Sequence, residues 1–299
     1  MHPSTAMLLD RLELKCVAED LYQANGQLDS GDHLFGGIVL AQGLAAAGRT
    51  VTGRQCHSIH AQFLHRGDPK QLIDYEVRRL RDSRAFATRE STAMQDGIAI
   101  ATVTASFHHQ EDGPEHQLPM PPGDGPGGQS WEGSLREALG MPKSKTPDSS
   151  VMGELPIEIL APDGFAMFSR NVKQPHVTAW MRTRSALPPD PLIHQCALAY
   201  ASDYIIQAGS FHAHPISAME VQSASLDHAL WFHRPIQFDQ WHRVDLDSPI
   251  TAGGRGIGRA LIFSQSGELV ASSVQEHLIR PTADGKHPAA RKRRAPNPT

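Results

Sequence analysis

The chain has 299 residues, of which 39% are hydrophobic, and it carries a formal net charge of −4 with both signs scattered along it. That length and composition can furnish a sizeable core, so a folded chain is expected in place of a disordered one. The weak and evenly spread charge excludes a general attraction to nucleic acid or to anionic lipid.

The sequence shows no pattern typical of export or membrane insertion. Asp10 and Arg11 interrupt its first apolar stretch, and no run approaches the roughly 18 apolar residues of a membrane span. The three cysteines, Cys16, Cys56 and Cys196, form no CxxC pair, so we expect buried free thiols in a reducing compartment. These observations predict a soluble, cytoplasmic protein without membrane association.

Two halves of the sequence resemble each other. The segment HAQFLHR (60–66) matches HALWFHR (228–234), which aligns His60 with His228. A predicted hairpin turn at Gly97 matches one at Gly267 at nearly the same spacing along the chain. On this alignment each half repeats the same plan of strands.

A long apolar helix candidate precedes the strands of each half. The candidates cover residues 35–50 and 191–207, and both are almost free of charge, which predicts burial on most sides. Pro191 suits a first helical position, and Asp190 suits the N-cap before it. A buried helix followed by antiparallel strands, repeated once, predicts an α+β fold in which a sheet wraps around each helix.

These patterns divide the chain into four parts. Residues 1–112 form a first unit, and residues 113–150, rich in proline and glycine and without periodicity, are predicted to be a linker. Residues 151–285 form a second unit, and residues 286–299 are predicted to be a basic, disordered tail.

Six segments in chain order resemble the acyl-CoA thioesterase II family. They are FGGIVLAQGLAAA, HSIHAQFLHRGD, TASFHHQEDGPEHQ, HQCALAYASD, SLDHALWFHRP and SSVQEHLIR. The resemblance implies a double hotdog, with two units joined edge to edge and a long central helix in each. It also implies hydrolysis of fatty acyl-CoA to free fatty acid and CoA without a cofactor, in a homodimer or homotetramer.

The resemblance further implies three candidate catalytic residues, Asp203, Ser225 and Gln275, which would orient the attacking water. The first half has approximately Leu44, His57 and Ala105 at the corresponding positions. Those residues cannot perform the same chemistry, so we expect a single active site, in the second unit. The first unit would be catalytically degenerate.

Thioester chemistry suits such a set. A thiolate is a good leaving group, so a positioned water beside one carboxylate can suffice. Asp203 lies between the apolar segments AYAS and YII, where burial should raise the pKa of its carboxyl group towards a useful value for a general base. Backbone N–H groups near Gly36 and Gly37 are candidates for binding the oxyanion.

Three further side chains are candidates for contact with acyl-CoA. Trp231 could line an apolar tunnel for the acyl chain, and Arg234 could bind the CoA phosphates. His228 belongs to the residue type most used for acid–base work near neutral pH. Its alignment with His60, like that of His233 with His65, favours a structural role in both halves.

Other functions find less support. No HExxH motif or clustered ligand spacing predicts a metal, no GxGxxG opens a helix after a strand, and no GxSxG elbow is present. A hotdog enoyl-CoA hydratase remains an alternative because DPLIH (190–194) resembles its DxNPxH motif, although it lacks the Asn and is one residue short. An acyl-CoA-binding protein without turnover is the other alternative.

Overall fold

The computed structural model describes residues 1–25, 34–141 and 154–282. The predicted basic tail and the last part of the predicted linker lie outside these ranges. The first unit contains α1 (Pro3–Leu12), β1 (Lys15–Ala18), β2 (Leu21–Asn25), α2 (Gly36–Gly48), β3 (Gln55–Phe63), β4 (Leu72–Asp82), β5 (Phe86–Gln95) and β6 (Ile98–His108).

The rest of the described chain builds the second unit on the same plan. It contains β7 (Gln129–Ser130), α3 (Trp131–Ala138), β8 (Ile157–Ala161), β9 (His176–Thr183), α4 (Pro191–Ser202), α5 (Ala208–His212), β10 (Val221–Ser225), β11 (Asp227–Phe232), β12 (His242–Ala252), β13 (Arg255–Ser264) and β14 (Leu269–Pro281). Single 3₁₀ turns lie at Ala166–Phe168 and Ala218–Glu220.

The strands form one continuous antiparallel sheet that runs through both units. Its order is β1-β2-β4-β5-β6-β3-β11-β14-β13-β12-β9-β8-β7, and β10 pairs with β14 beside this path. The units therefore meet edge to edge at the β3–β11 pair, as predicted. Every strand on this path between β1 and β7 is paired on both sides, and β10 adds a short segment along β14.

The two central helices pack against each other inside the sheet. Both are buried along most of their length, which explains their nearly charge-free sequences. A Cβ atom added at Gly37 would lie 2.4 Å from the carbonyl oxygen of Tyr200, and one added at Gly48 would lie 2.6 Å from Leu192 Cδ2. The helices are thus antiparallel, and the start of α2 lies beside the end of α4.

Both helices are shorter than predicted. α2 begins at Gly36 and ends at Gly48, and α4 ends at Ser202 instead of Gln207. The start of α4 is as predicted, because Asp190 is the N-cap, its carboxylate accepts from the N–H of Leu192 at 2.9 Å, and Pro191 follows it. Apolar composition alone did not indicate the end of α4, since the residues after Ser202 remain largely apolar while the backbone turns.

The repeat alignment of the two joining strands, β3 and β11, differs by one residue from the alignment predicted from the sequence. Ala61 of β3 lies opposite Val103 of β6, and Leu230 of β11 lies opposite Ser273 of β14. The alignment of the hairpins at Gly97 and Gly267 relates Val103 to Ser273. Ala61 therefore corresponds to Leu230, whereas the matching segments paired it with Ala229.

This difference corrects the predicted equivalence of His60 with His228 and of His65 with His233. Neighbouring residues of a strand face opposite sides, so a slip of one residue exchanges inside and outside. His228 is buried beneath the sheet, whereas His60 is exposed on its outer face. The N–H groups of His65 and Arg234 donate to the equivalent carbonyls of Ile100 and Val270, so the counterpart of His65 is Arg234.

Part of the predicted linker folds onto the second unit. Residues 129–138 form β7 and α3, and β7 pairs with β8 at the edge of the sheet. Upstream, the Gln117 side chain donates to the carbonyl of Gly267 at 2.9 Å, and Arg243 donates to the carbonyl of Pro121 at 2.6 Å. The proline- and glycine-rich sequence did not indicate these contacts with the second unit. Many of their hydrogen bonds are accepted by backbone carbonyls, which every residue carries whatever its side chain.

Two smaller observations concern the cysteines and the membrane. Cys56 and Cys196 are buried free thiols as predicted, but Cys16 is exposed on β1, which forms the edge of the sheet. Across the described ranges, every helix is too short or too polar to cross a bilayer.

Candidate active site

Asp203 lies at the end of α4, beside the start of α2. It is the C-cap residue of the helix, and only 6% of it is exposed. Burial raises the pKa of its carboxyl group to about 6, although hydrogen bonds from Ser225, Gly37 and Gln275 act in the opposite direction. The carboxylate is thus ionised at neutral pH but close to the range in which it can accept a proton.

Ser225 and Gln275 lie beside Asp203. Ser225 ends β10, and its Oγ donates to Asp203 Oδ1 at 3.1 Å. Gln275 lies on the inner face of β14 with none of its surface exposed, and its Nε2 donates to Ser225 Oγ at 2.8 Å. Three elements far apart in sequence therefore place a carboxylate, a hydroxyl and an amide in one hydrogen-bonded group, which we call the Asp–Ser–Gln group.

The start of α2 completes the site from the first unit. The N–H of Gly37 donates to the Asp203 carboxylate. A Cβ atom at Gly36 would lie 2.8 Å from Asp203 Oδ2 and 3.1 Å from Phe63 Cζ, so only glycine leaves room in front of that oxygen. The N-cap of the helix, Phe35, has no side-chain acceptor for the first N–H groups.

His228 lies behind the Asp–Ser–Gln group. Its Nδ1 is 2.5 Å from Gln275 Oε1, and its Nε2 is 2.9 Å from Ser202 Oγ and 3.1 Å from Ser273 Oγ. Burial lowers the pKa of His228 to about 4, so the ring is neutral at neutral pH. Only 1% of the residue is exposed, so the structure places it within hydrogen-bonding reach of the site but not on a surface open to substrate.

Trp231 and Arg234 are not brought to this group. Trp231 lies on the same strand as His228 but faces the outer side of the sheet, where its ring packs edge-on against His60. The Arg234 guanidinium donates to the carbonyl of Leu269 at 3.1 Å and lies 3.5 Å from Glu115. Neither contact links these residues to Asp203.

Sequence reasoning missed Ser202 and Ser273, which surround His228, and Phe63, which packs beside Gly36. Ser273 could have been found, because it precedes Gln275 by two residues on one strand and must share its face. Phe63 comes from the other unit, and nothing local in the sequence relates it to Asp203.

The first unit has no equivalent group among its described residues. Where α4 ends on Asp203 as its C-cap residue, α2 ends on Arg49. Cys56 pairs with Phe107 as Ser225 pairs with His277, so Cys56 is the counterpart of Ser225. The structure thus gives Arg49 and Cys56 in place of the predicted counterparts Leu44 and His57, because the helices are matched at their C-caps and the strand register is shifted by one residue. It retains Ala105 as the counterpart of Gln275.

The residues behind the hydratase alternative have structural roles. Asp190 caps α4, and the His194 ring accepts from the N–H of Phe238 at 3.0 Å. Within the described ranges, no three His, Cys, Asp or Glu residues are grouped closely enough to hold a metal ion.

Comparison with known proteins identifies the family of the chain. Residues 25–108 match the family described as the acyl-CoA thioesterase N-terminal domain, and residues 114–279 match the acyl-CoA thioesterase C-terminal domain. The chain belongs to the acyl-CoA thioesterase family. The C-terminal match begins within the predicted linker, where the chain already contacts the second unit.

Individual acyl-CoA thioesterases resemble the chain over nearly its whole length. Acyl-CoA thioesterase 2 of Haemophilus influenzae is 33% identical over 276 residues, which cover 91% of this chain and 96% of that protein. Acyl-coenzyme A thioesterase 8 of Mus musculus is 32% identical and covers 90% of this chain and 87% of its own.

Solved structures confirm the predicted double hotdog. An acyl-CoA thioesterase II from Mycobacterium marinum superposes with a TM-score of 0.76 at 32% identity and covers 94% of this chain and 100% of its own. Structures of the same architecture include a protein described as having the hotdog fold.

Proposed function

We propose that the protein hydrolyses acyl-CoA thioesters to a free acid and CoA, with a water molecule activated by Asp203. One observation carries this proposal: a buried carboxylate, ionised at neutral pH, is held by Ser225, Gln275 and Gly37 while its Oδ2 faces the space left by Gly36. Membership of the thioesterase family supports the substrate class.

The proposed reaction begins with water bound to Asp203 Oδ2. The water oxygen forms a bond to the thioester carbonyl carbon while its proton passes to the carboxylate, and the carbonyl electrons move onto the oxygen. When the tetrahedral intermediate collapses, the C–S bond breaks and its electron pair leaves with the thiolate. The proton on Asp203 is then available to that thiolate, which restores the carboxylate.

Ser225 and Gln275 keep the carboxylate in place during these steps. The Ser225 hydroxyl occupies Oδ1, which leaves Oδ2 for water. The N–H of Gly36 and the positive end of the α2 helix dipole are the candidates to stabilise the negative charge on the carbonyl oxygen, since the N–H of Gly37 already donates to Asp203. Gly36 leaves room for the water, and its lack of a side chain brings the backbone of α2 close to Asp203.

We place the acyl chain along an aromatic cluster beside Asp203. Tyr204 follows Asp203 directly, and its ring centroid lies 4.3 Å from that of Phe35 and 5.4 Å from that of Trp131. Phe168 continues the cluster at 5.3 Å from Trp131. An apolar wall of this kind suits a fatty acyl group.

The test is release of free thiol from a series of acyl-CoA substrates of increasing chain length. We expect turnover by the wild type and a loss of at least about 10³-fold for Asp203→Asn. Asp96→Asn is the matched control, since Asp96 is exposed on the turn of the first hairpin. Binding of acyl-CoA without thiol release from any substrate would instead support the binding-protein alternative, and hydration of an enoyl-CoA would support the hydratase.

We also infer a cytoplasmic homo-oligomer, as the family resemblance implies. The three cysteines are free thiols, the usual state in a reducing compartment. Light scattering of the purified protein would measure the assembly, and a monomer at micromolar concentration would contradict it.

A further inference from the structure

His228 makes contacts that the proposed reaction does not use. It is 1% exposed, and both of its ring nitrogens have partners: Gln275 at Nδ1, and Ser202 and Ser273 at Nε2. A buried ring whose polar atoms all have hydrogen-bond partners is held in one specific orientation.

The orientation of the Gln275 amide decides whether the Asp–Ser–Gln group works. Its NH₂ donates to Ser225 Oγ and to the Asp203 carboxylate. If the amide were rotated by half a turn, its oxygen would face both groups. Ser225 would then have two acceptors competing for its single hydroxyl proton, and Asp203 would lose a donor.

His228 distinguishes between these two orientations. An amide oxygen only accepts hydrogen bonds, so a partner that donates from Nδ1 keeps Gln275 Oε1 on its own side. The neutral ring carries one proton, and with Nδ1–H engaged, Nε2 must accept. Ser273 and Ser202 present hydroxyl groups to Nε2, and Ser202 Oγ also donates to the carbonyl of Ala199 at 2.9 Å, which leaves Ser273 as the donor to the ring.

We propose that His228 is a positioning residue: its Nδ1–H holds the Gln275 amide so that Ser225 must donate to Asp203. The chain of donors then runs in one direction, from Ser273 to His228, Gln275 and Ser225 and on to the carboxylate. This inference rests on the proposed role of Asp203. It replaces the prediction that His228 contacts substrate.

The same series of hydrogen bonds predicts the kinetic effect of removing the His228 ring. Without the donor at Nδ1, the amide is free to rotate, and Asp203 loses hydrogen bonds that favour its ionised form. The pKa of Asp203 should rise, and fewer molecules should carry the base at neutral pH. A residue that only filled space would change stability without moving that pKa.

The experiment compares His228→Asn with His228→Leu, two side chains of nearly the same shape. The Asn amide nitrogen lies close to the position of the imidazole Nδ1 and retains the donor, whereas Leu does not. We expect His228→Leu to lower kcat about 10- to 100-fold with KM for acyl-CoA nearly unchanged, and to move the acid limb of the pH–rate profile up by about one unit. His228→Asn should restore the limb and most of kcat.

Two outcomes would overturn the proposal, and a substitute variant covers a failure to fold. Equal losses in the two variants, with the acid limb unmoved in both, would overturn the positioning role while the thioesterase assignment stands. Full activity of Asp203→Asn would overturn the proposed base and this inference with it. If His228→Leu does not fold, His228→Gln takes its place, because the Gln amide reaches the position of Nε2 and leaves Gln275 without its donor.

Discussion

Replacing Asp203 by Asn should make the protein more stable at neutral pH while removing its activity. Burial raises the pKa of this carboxyl group from 3.8 to about 6, so the folded state holds its proton more tightly than the unfolded state does. The stability associated with that proton is complete below about pH 4 and is lost as the pH rises through 6.

The magnitude follows from the shift. About 2 pKa units at ~1.36 kcal/mol each correspond to ~3 kcal/mol that the wild type loses between about pH 4 and about pH 8. Asn cannot ionise and does not incur this loss. It keeps one acceptor for Ser225, but its NH₂ group meets the N–H of Gly37, so part of the gain is offset by a cost that does not depend on pH.

Urea unfolding at several pH values separates the two contributions. The difference in free energy of unfolding between Asp203→Asn and the wild type should increase by ~3 kcal/mol from about pH 4 to about pH 8. Asp96→Asn, on an exposed turn, should show no comparable change over the same range. A difference that stays constant with pH would refute the account of Asp203 as a base held in an unfavourable environment.

Three other changes probe the site and its surroundings. Gly36→Ala should lower kcat about 100-fold, because its Cβ would lie 2.8 Å from Asp203 Oδ2. Thiol release measures this loss. Activity near that of the wild type would show that water does not use this space. Ser225→Ala should raise the acid limb of the pH–rate profile by about one unit, whereas Ser225→Thr keeps the hydroxyl and should leave the limb in place. Arg243→Met should cost ~2 kcal/mol in urea unfolding and expose residues 118–128 to protease, because two proline carbonyls lose their donor, with kcat per folded molecule unchanged. Retained protease resistance would contradict this role.

The general plan of this fold could be predicted because the two halves of the sequence repeat it. Two apolar helices, two hairpins and their similar spacing in sequence led to a sheet around paired helices, and the family pattern selected Asp203, Ser225 and Gln275. These residues lie on three elements, so a shared pattern along the chain carries information that no single segment holds.

The register of the joining strands could not be predicted in the same way. Two histidine-containing segments align well with His60 on His228, but in the sheet His60 lies directly opposite Ala229, which is its true counterpart. That shift of one residue turns His228 towards Gln275 and leaves His60 outside. The contribution of Phe63 was equally hidden, because it depends on how the first unit packs against the second.

The antiparallel packing of α2 and α4 has a consequence for how two similar units differ. In a symmetric pair of identical units, each helix would have to start with small residues and end with a carboxylate, because every end would face its partner's opposite end. Within one chain, one helix supplies the start with small residues and the other supplies the carboxylate at its end. α2 keeps the glycine start at Gly36 and ends at Arg49, while α4 starts at Asp190 and Pro191 and ends at Asp203. Each helix is free to stabilise the end that performs no chemistry, with a proline and a capping carboxylate in one case and a basic residue at the negative end of the dipole in the other.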